Sequence, residues 1–150
     1  MRENKTLMRV LGIDFGDRNI GLAVSDKLGL TAQALGNYRL KGMDEENRKF
    51  FKDLVKNYEI SEIVIGFPLR MDGTSGTRAF RTKEFARWLE QTVNLPIVFW
   101  DERLTTQEAL HVLRDQKIKG KSQKGLKDRI SAAIILSCYL ESKQSNLDGP

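Results

Sequence analysis

The sequence predicts an α/β fold: a mixed five-stranded sheet, opening with a three-strand antiparallel meander, with helices on both faces. Two observations carry this prediction. Three strand-like runs follow one another between about Met8 and Arg39 with only short turns between them. Two further apolar runs, Ile60 to Gly66 and Ile97 to Trp100, are each preceded by a polar-apolar stretch of helical period. Strands joined by tight turns pair antiparallel, whereas strands joined through a helix pair in parallel. The meander is therefore extended by parallel strands, and crossover rules set the last beside the fourth.

Each element has a local reason. Val10-Leu11-Gly12-Ile13-Asp14-Phe15-Gly16 is a short apolar run closed by Gly16-Asp17-Arg18-Asn19, which reads as a buried strand entering a turn. With Asp17-Arg18 at the centre of a two-residue hairpin loop, Asp14 pairs with Gly21 of the second strand, so no side chain crowds its carboxylate from that side. Leu30 to Arg39 supplies the third strand after the turn at Asp26-Lys27-Leu28-Gly29. Asp44 is a candidate N-cap for a helix from about Glu45 to Asn57, with Glu45 and Glu46 at the positive end of its dipole and Phe50, Phe51, Leu54, Val55 and Tyr58 on one face. After the fourth strand, Arg70 to Thr77 reads as a mobile Gly-rich loop. Thr77 then caps a helix that turns Phe80, Phe85, Trp88 and Leu89 inward. Beyond the fifth strand, Thr105-Thr106-Gln107-Glu108 is a capping box for a short helix through Leu113. A Lys-rich loop covers Gln116 to Gly125. The last helix runs from Leu126 to Glu141 and buries Ile130, Ala133, Ile134, Ser137 and Leu140.

A chain of 150 residues is enough for one self-sufficient core, here one domain over 1–150 with its core at about 8–142. No run reaches the roughly 20 apolar residues of a membrane span, and the first residues lack the apolar centre of a signal peptide; a cytoplasmic location is expected. One cysteine, Cys138, and one histidine, His111, exclude an internal disulfide and a Cys/His zinc cluster. A net charge of +5 allows attraction to a polyanion without requiring it.

The chemistry rests on carboxylates that this topology can bring to one end of the sheet: Asp14 on the first strand, Asp101 and Glu102 at the end of the fifth, and Asp128 in the first turn of the last helix. Alone, Asp101 is a strand terminator, Glu102 an ion-pair partner of Arg103, and Asp128 an ordinary helix-start acid. Together they repel until a hard cation binds. All-oxygen ligands with open positions suit Mg2+ or Mn2+, and such ions stabilise both the attacking and leaving oxygens of a phosphodiester displacement. Arg70, Arg78 and Arg81 flank the Gly-rich loop, and Lys119, Lys121 and Lys124 crowd the loop before Asp128. These cations, with Arg103, are candidate contacts for nucleic-acid phosphates, giving sequence-independent and salt-sensitive affinity.

Four segments, Leu11 to Gly16 with Ile20-Gly21, Ile65 to Gly73, Asp101 to Thr106, and Asp128 to Ala133, occur in an order and spacing that resembles the YqgF family, also called RuvX, the Holliday junction resolvase-like or pre-16S rRNA nucleases. The resemblance spans roughly Met8 to Leu140. It implies a ribonuclease H-like fold, divalent-metal nuclease activity on nucleic acid, and maturation of the 5′ end of 16S rRNA in the bacterial cytoplasm. It also implies Asp14, Glu102 and Asp128 as catalytic and metal-binding carboxylates, with Asp101 adjoining them. Holliday junction resolution and non-catalytic RNA binding are the alternatives. An ATP-binding reading of Asp14-Phe15-Gly16, as in the actin-like superfamily, needs a second such domain for which the chain has no room.

Overall fold

The structure is a computed structural model and describes residues 8–16, 19–40, 42–68, 76–104 and 123–148. The elements are β1 (Arg9–Phe15), β2 (Asn19–Ser25), β3 (Ala32–Arg39), α1 (Glu45–Tyr58), β4 (Ile60–Phe67), α2 (Thr77–Val93), β5 (Ile97–Asp101), a one-turn 3-10 helix (Glu102–Leu104) and α3 (Gln123–Asp148). The strands form one sheet in the order β3-β2-β1-β4-β5. β1, β2 and β3 pair antiparallel, while β4 pairs parallel with β1 and β5 parallel with β4, as the connections predict.

Side-chain alternation along the strands feeds two cores. On one face Leu11, Ile13, Leu22, Ile63 and Ile65 meet Phe51 of α1 and Phe85, Trp88 and Leu89 of α2. Phe51 is fully buried at the centre of this aromatic cluster, with ring centroids 5.9 Å from Phe85 and 6.0 Å from Trp88; truncation to Ala would cost about 3–5 kcal/mol. On the other face Val10, Ala23 and Val64 meet Ala132, Ile135, Leu136 and Tyr139 of α3. That helix comes close because Gly12 presents no side chain: a Cβ there would lie 2.8 Å from Leu136 Cβ and 3.2 Å from the Ala132 carbonyl oxygen. Among the described residues, no helix is long and apolar enough to cross a membrane.

Several boundaries differ from the sequence expectation for identifiable reasons. β3 starts at Ala32 because the amides of Leu30 and Thr31 donate to Asp26 Oδ1, at 2.7 and 2.9 Å, instead of to a ladder. Asp44 caps α1 as expected, accepting from the Asn47 amide at 3.1 Å, and the helix ends at Glu59 in the left-handed region, φ 55°. Thr77 does not cap α2. Gly76 takes the extended cap position and its carbonyl accepts the first helical bond, from the Phe80 amide at 3.0 Å. Phe80 is 62% exposed rather than inward, because the buried face of α2 follows Ala79, Thr82, Ala86 and Leu89. α3 begins at Gln123, so Gly125 is helical and Asp128 is the helix's sixth residue, beyond its first turn. Ser137 is only partly buried, while Ala132, Ile135, Leu136, Cys138 and Tyr139 join the buried set; the helix lies across β3, β2, β1 and β4 and buries a wider surface than one stripe. The Asp17-Arg18 turn centre, the loop at 69–75, the helix expected after Thr105 and the lysine loop through residue 122 lie outside the described residues.

Candidate active site

Asp14 stands near the carboxyl end of β1 and pairs with Gly21 of β2. Gly16 closes the turn beyond it, its amide donating to the Asn19 carbonyl at 3.1 Å. Val10 and Gly12 face α3, and the strand period puts Asp14 on that face too. On the other side of β1, Ile13 pairs with Ile65, so the β4 residue abreast of Asp14 is Gly66. Both lateral neighbours of Asp14 are thus glycines.

Glu102 follows directly on β5, and its carboxyl group occupies the space that Gly66 leaves. A Cβ at residue 66 would lie 2.9 Å from Glu102 Oε2 and 3.3 Å from its Cδ. Burial pushes the Glu102 carboxyl above its ordinary pKa, and the charge of Asp14 pushes it further. Arg78 acts in the opposite direction, and Asp101 adds to the upward push. Two acids from strands separated by β4 therefore sense one another across a glycine. Asp101 ends β5, partly buried, in register with Phe67.

Arg78 reaches the same end of the sheet from the first turn of α2. Its Nη2 donates to the Phe15 carbonyl at 3.3 Å, and the Phe15 ring stacks on Phe85 at 4.7 Å, tying the end of β1 to α2. Arg81 lies one turn further along α2, exposed. Arg70, Lys119 and Lys121 lie outside the described residues. So do the side chains of Arg103, Lys124 and Asp128, although their backbones belong to the 3-10 helix and α3. The structure thus brings together Asp14, Glu102, Asp101 and Arg78. Among the described residues there is no group of three or more acids, histidines or cysteines arranged to hold a metal.

Two contributions to this geometry escaped the sequence. Gly66 reads there only as the end of a strand, yet a glycine inside a strand signals a close approach, here by Glu102. Arg78 reads as one of several loop cations, whereas it attaches to β1 and offsets the acids. The donor set fits a hard cation: carboxylate oxygens, half-buried, with one acid held above its usual pKa by burial and by its acidic neighbours.

Comparison with known proteins follows the same outline. A family model described as RuvX, Holliday junction resolvase, matches residues 8–142. A relative from Halothermothrix orenii is 43% identical over 95% of this chain and 100% of its own length, and one from Acetivibrio thermocellus is 44% identical over 91% and 97%. Both carry the name "Putative pre-16S rRNA nuclease". Among solved structures, Thermus thermophilus RuvC in complex with a Holliday junction substrate superposes over 90% of this chain and 96% of its own, with a TM-score of 0.56 and 14% identity. That likeness shows a shared ribonuclease H-like fold. With a match over most of its length and close relatives covered end to end, the chain belongs to the RuvX Holliday junction resolvase family.

Proposed function

We propose that this chain is a divalent-metal-dependent nuclease that hydrolyses phosphodiester bonds in nucleic acid, acting in the cytoplasm on the 5′ end of precursor 16S rRNA. The observation that carries the reading is the meeting of Asp14 and Glu102 over Gly66, at the carboxyl ends of β1 and β5, with Arg78 alongside. The names of the relatives support the RNA substrate.

Asp14 and Glu102 would hold Mg2+ or Mn2+, with Asp101 adjoining and Asp128 supplied by α3. Position 128 supports that role, since it precedes Ala132 by one helical turn, and Ala132 rests on Gly12, two residues before Asp14. When bound, such a cation supplies charge stabilisation to the attacking and leaving oxygens of the displacement. The chain's own residues do the rest. Gly21 and Gly66 keep the flanks of Asp14 clear. Burial keeps bulk water from screening Glu102, and Arg78 offers a guanidinium to phosphate oxygens. Arg81, Arg70, Arg103, Lys119, Lys121 and Lys124 would neutralise the backbone on either side.

The test is one cleavage assay with Mg2+ or Mn2+ on precursor 16S rRNA, single-stranded RNA and a four-way DNA junction. Metal-dependent cleavage of the precursor near its mature 5′ end, lost in Asp14→Asn, is the expected result. Preference for the four-way junction would move the substrate to DNA, and no cleavage of any of the three would overturn the nuclease reading.

A further inference from the structure

The free edge of the sheet has chemistry that the carboxylates do not use. β5 is the edge strand of the sheet. Along it, Lys83, Ala86, Arg87 and Glu90 of α2 face Ile97 and Phe99 across a groove of about 240 Å³. Phe99 is 41% exposed despite its apolar ring, and packs on Phe67 with centroids 5.0 Å apart. Lys83 Nζ lies 5.5 Å from the Phe67 centroid, over its ring. Phe80, Lys83 and Arg87 are spaced i, i+3, i+7, so exposed aromatic and cationic side chains share one stripe of α2. Phe99 shares the α2 face of the sheet with Ile97, whereas Asp14 and the Glu102 carboxyl lie on the α3 face, so a strand in the groove meets the carboxylates only by rounding the sheet edge at the end of β5.

We propose that this α2–β5 groove binds an unpaired stretch of the nucleic-acid substrate that continues from the site around the edge strand, a base stacking on Phe99 while Lys83 and Arg87 take the flanking phosphates. The inference rests on the nuclease reading for its substrate. An exposed ring bordered by cations matches single-stranded nucleic acid, which offers a flat face and a negative charge at every nucleotide. Glu90 gives the groove one acceptor for base N–H groups. A second copy of the chain suits the groove less well, because a two-fold contact would set Lys83 and Arg87 close to their own copies.

The experiment is fluorescence anisotropy with a labelled single-stranded RNA of about a dozen nucleotides, in EDTA so that binding is read without cleavage. Phe99→Ala should weaken binding about 5- to 150-fold with an unchanged salt slope. Phe99→Trp, which restores a stacking face, should bind near the wild-type level. Lys83→Gln with Arg87→Gln should lower the salt slope by about 1.4, from 0.7 per lost contact. Wild-type affinity in a folded Phe99→Ala protein would overturn the proposal. So would a binding loss that sedimentation velocity traces to dissociation of a wild-type dimer. The two readings fail separately: a wild-type protein that shows this binding pattern but cleaves nothing with Mn2+ removes only the nuclease reading, whereas Asp14-dependent cleavage without a Phe99 effect removes only the groove.

Discussion

Gly66→Ala adds one methyl group at the place where Glu102 and α3 converge. The new carbon would stand 2.5 Å from Ile135 Cδ1 and 2.9 Å from Glu102 Oε2, both well inside the roughly 3.5–4.0 Å of a relaxed contact. Each neighbour is the far end of a side chain, so both give way rather than the sheet. Overpacking of this size costs about 1–3 kcal/mol. At ~2–4 °C per kcal/mol for a chain of this length, Tm should fall by about 2–12 °C. The carboxyl group must also retreat by about half an ångström to reach ordinary van der Waals distance, which shifts it relative to Asp14. Loss of such support lowers metal affinity by about 10- to 100-fold. Calorimetric titration with Mn2+ separates the two effects when Ile135→Val is added, since that change deletes the clashing Cδ1 and leaves only the carboxylate contact. The double variant should recover much of its Tm but not its affinity for Mn2+. Wild-type Mn2+ affinity in Gly66→Ala, or simultaneous recovery of stability and affinity in the double variant, would refute the idea that Gly66 seats Glu102.

Asp14→Asn keeps the volume of a proposed metal ligand and removes its charge; turnover should drop on the order of 10²-fold or more, with circular dichroism unchanged. Unaltered turnover in the folded variant would contradict the assignment. The raised pKa of Glu102 means that the fold favours its protonated form, so its contribution to stability is present below the ordinary value of 4.5 and is lost as pH rises through the raised one. Without metal, Glu102→Gln should therefore melt above wild type in alkaline buffer and show no such gain in acid. Mn2+ should raise the wild-type Tm increasingly with pH, and a pH-independent Mn2+ shift would count against Glu102 as a ligand. Replacing Lys119, Lys121 and Lys124 together by Gln should flatten the salt dependence of RNA binding by about 2 in slope, at ~0.7 per contact. An unchanged slope would return those lysines to bulk solvent.

The strand order and the pairing of Asp14 with Gly21 were legible in the sequence because both follow from local rules, turn length for one and connection type for the other. The Asp44 cap was legible for the same reason. Phe80 was misread because its own window carries two compatible apolar phases, and only packing of Ala79 and Thr82 selects between them. The start of α3 was misplaced because glycine ordinarily weakens a helix interior, while the apolar run from Ala132 onward supplies enough burial to carry the helix through Gly125. Within the site, Asp14 and Glu102 stood out as residue types. Their electrostatic coupling across β4 did not, since it depends on a side chain that is missing from Gly66, and a pattern of letters does not show which neighbour fills an opening.

The seating of α3 on Gly12 has a mechanical corollary. The helix rests against the strand with a carbonyl of one turn, Ala132, and a Cβ of the next, Leu136. With no intervening side chain to flex, that contact acts as a fulcrum. Any shim placed under it tilts the whole rod, and the helix start, about 13 Å beyond Ala132 at ~1.5 Å per residue, sweeps further than the contact itself moves. A methyl group at residue 12 would therefore misalign position 128 while leaving most of both cores intact, so that alignment at the sheet's end is more fragile than the fold that provides it.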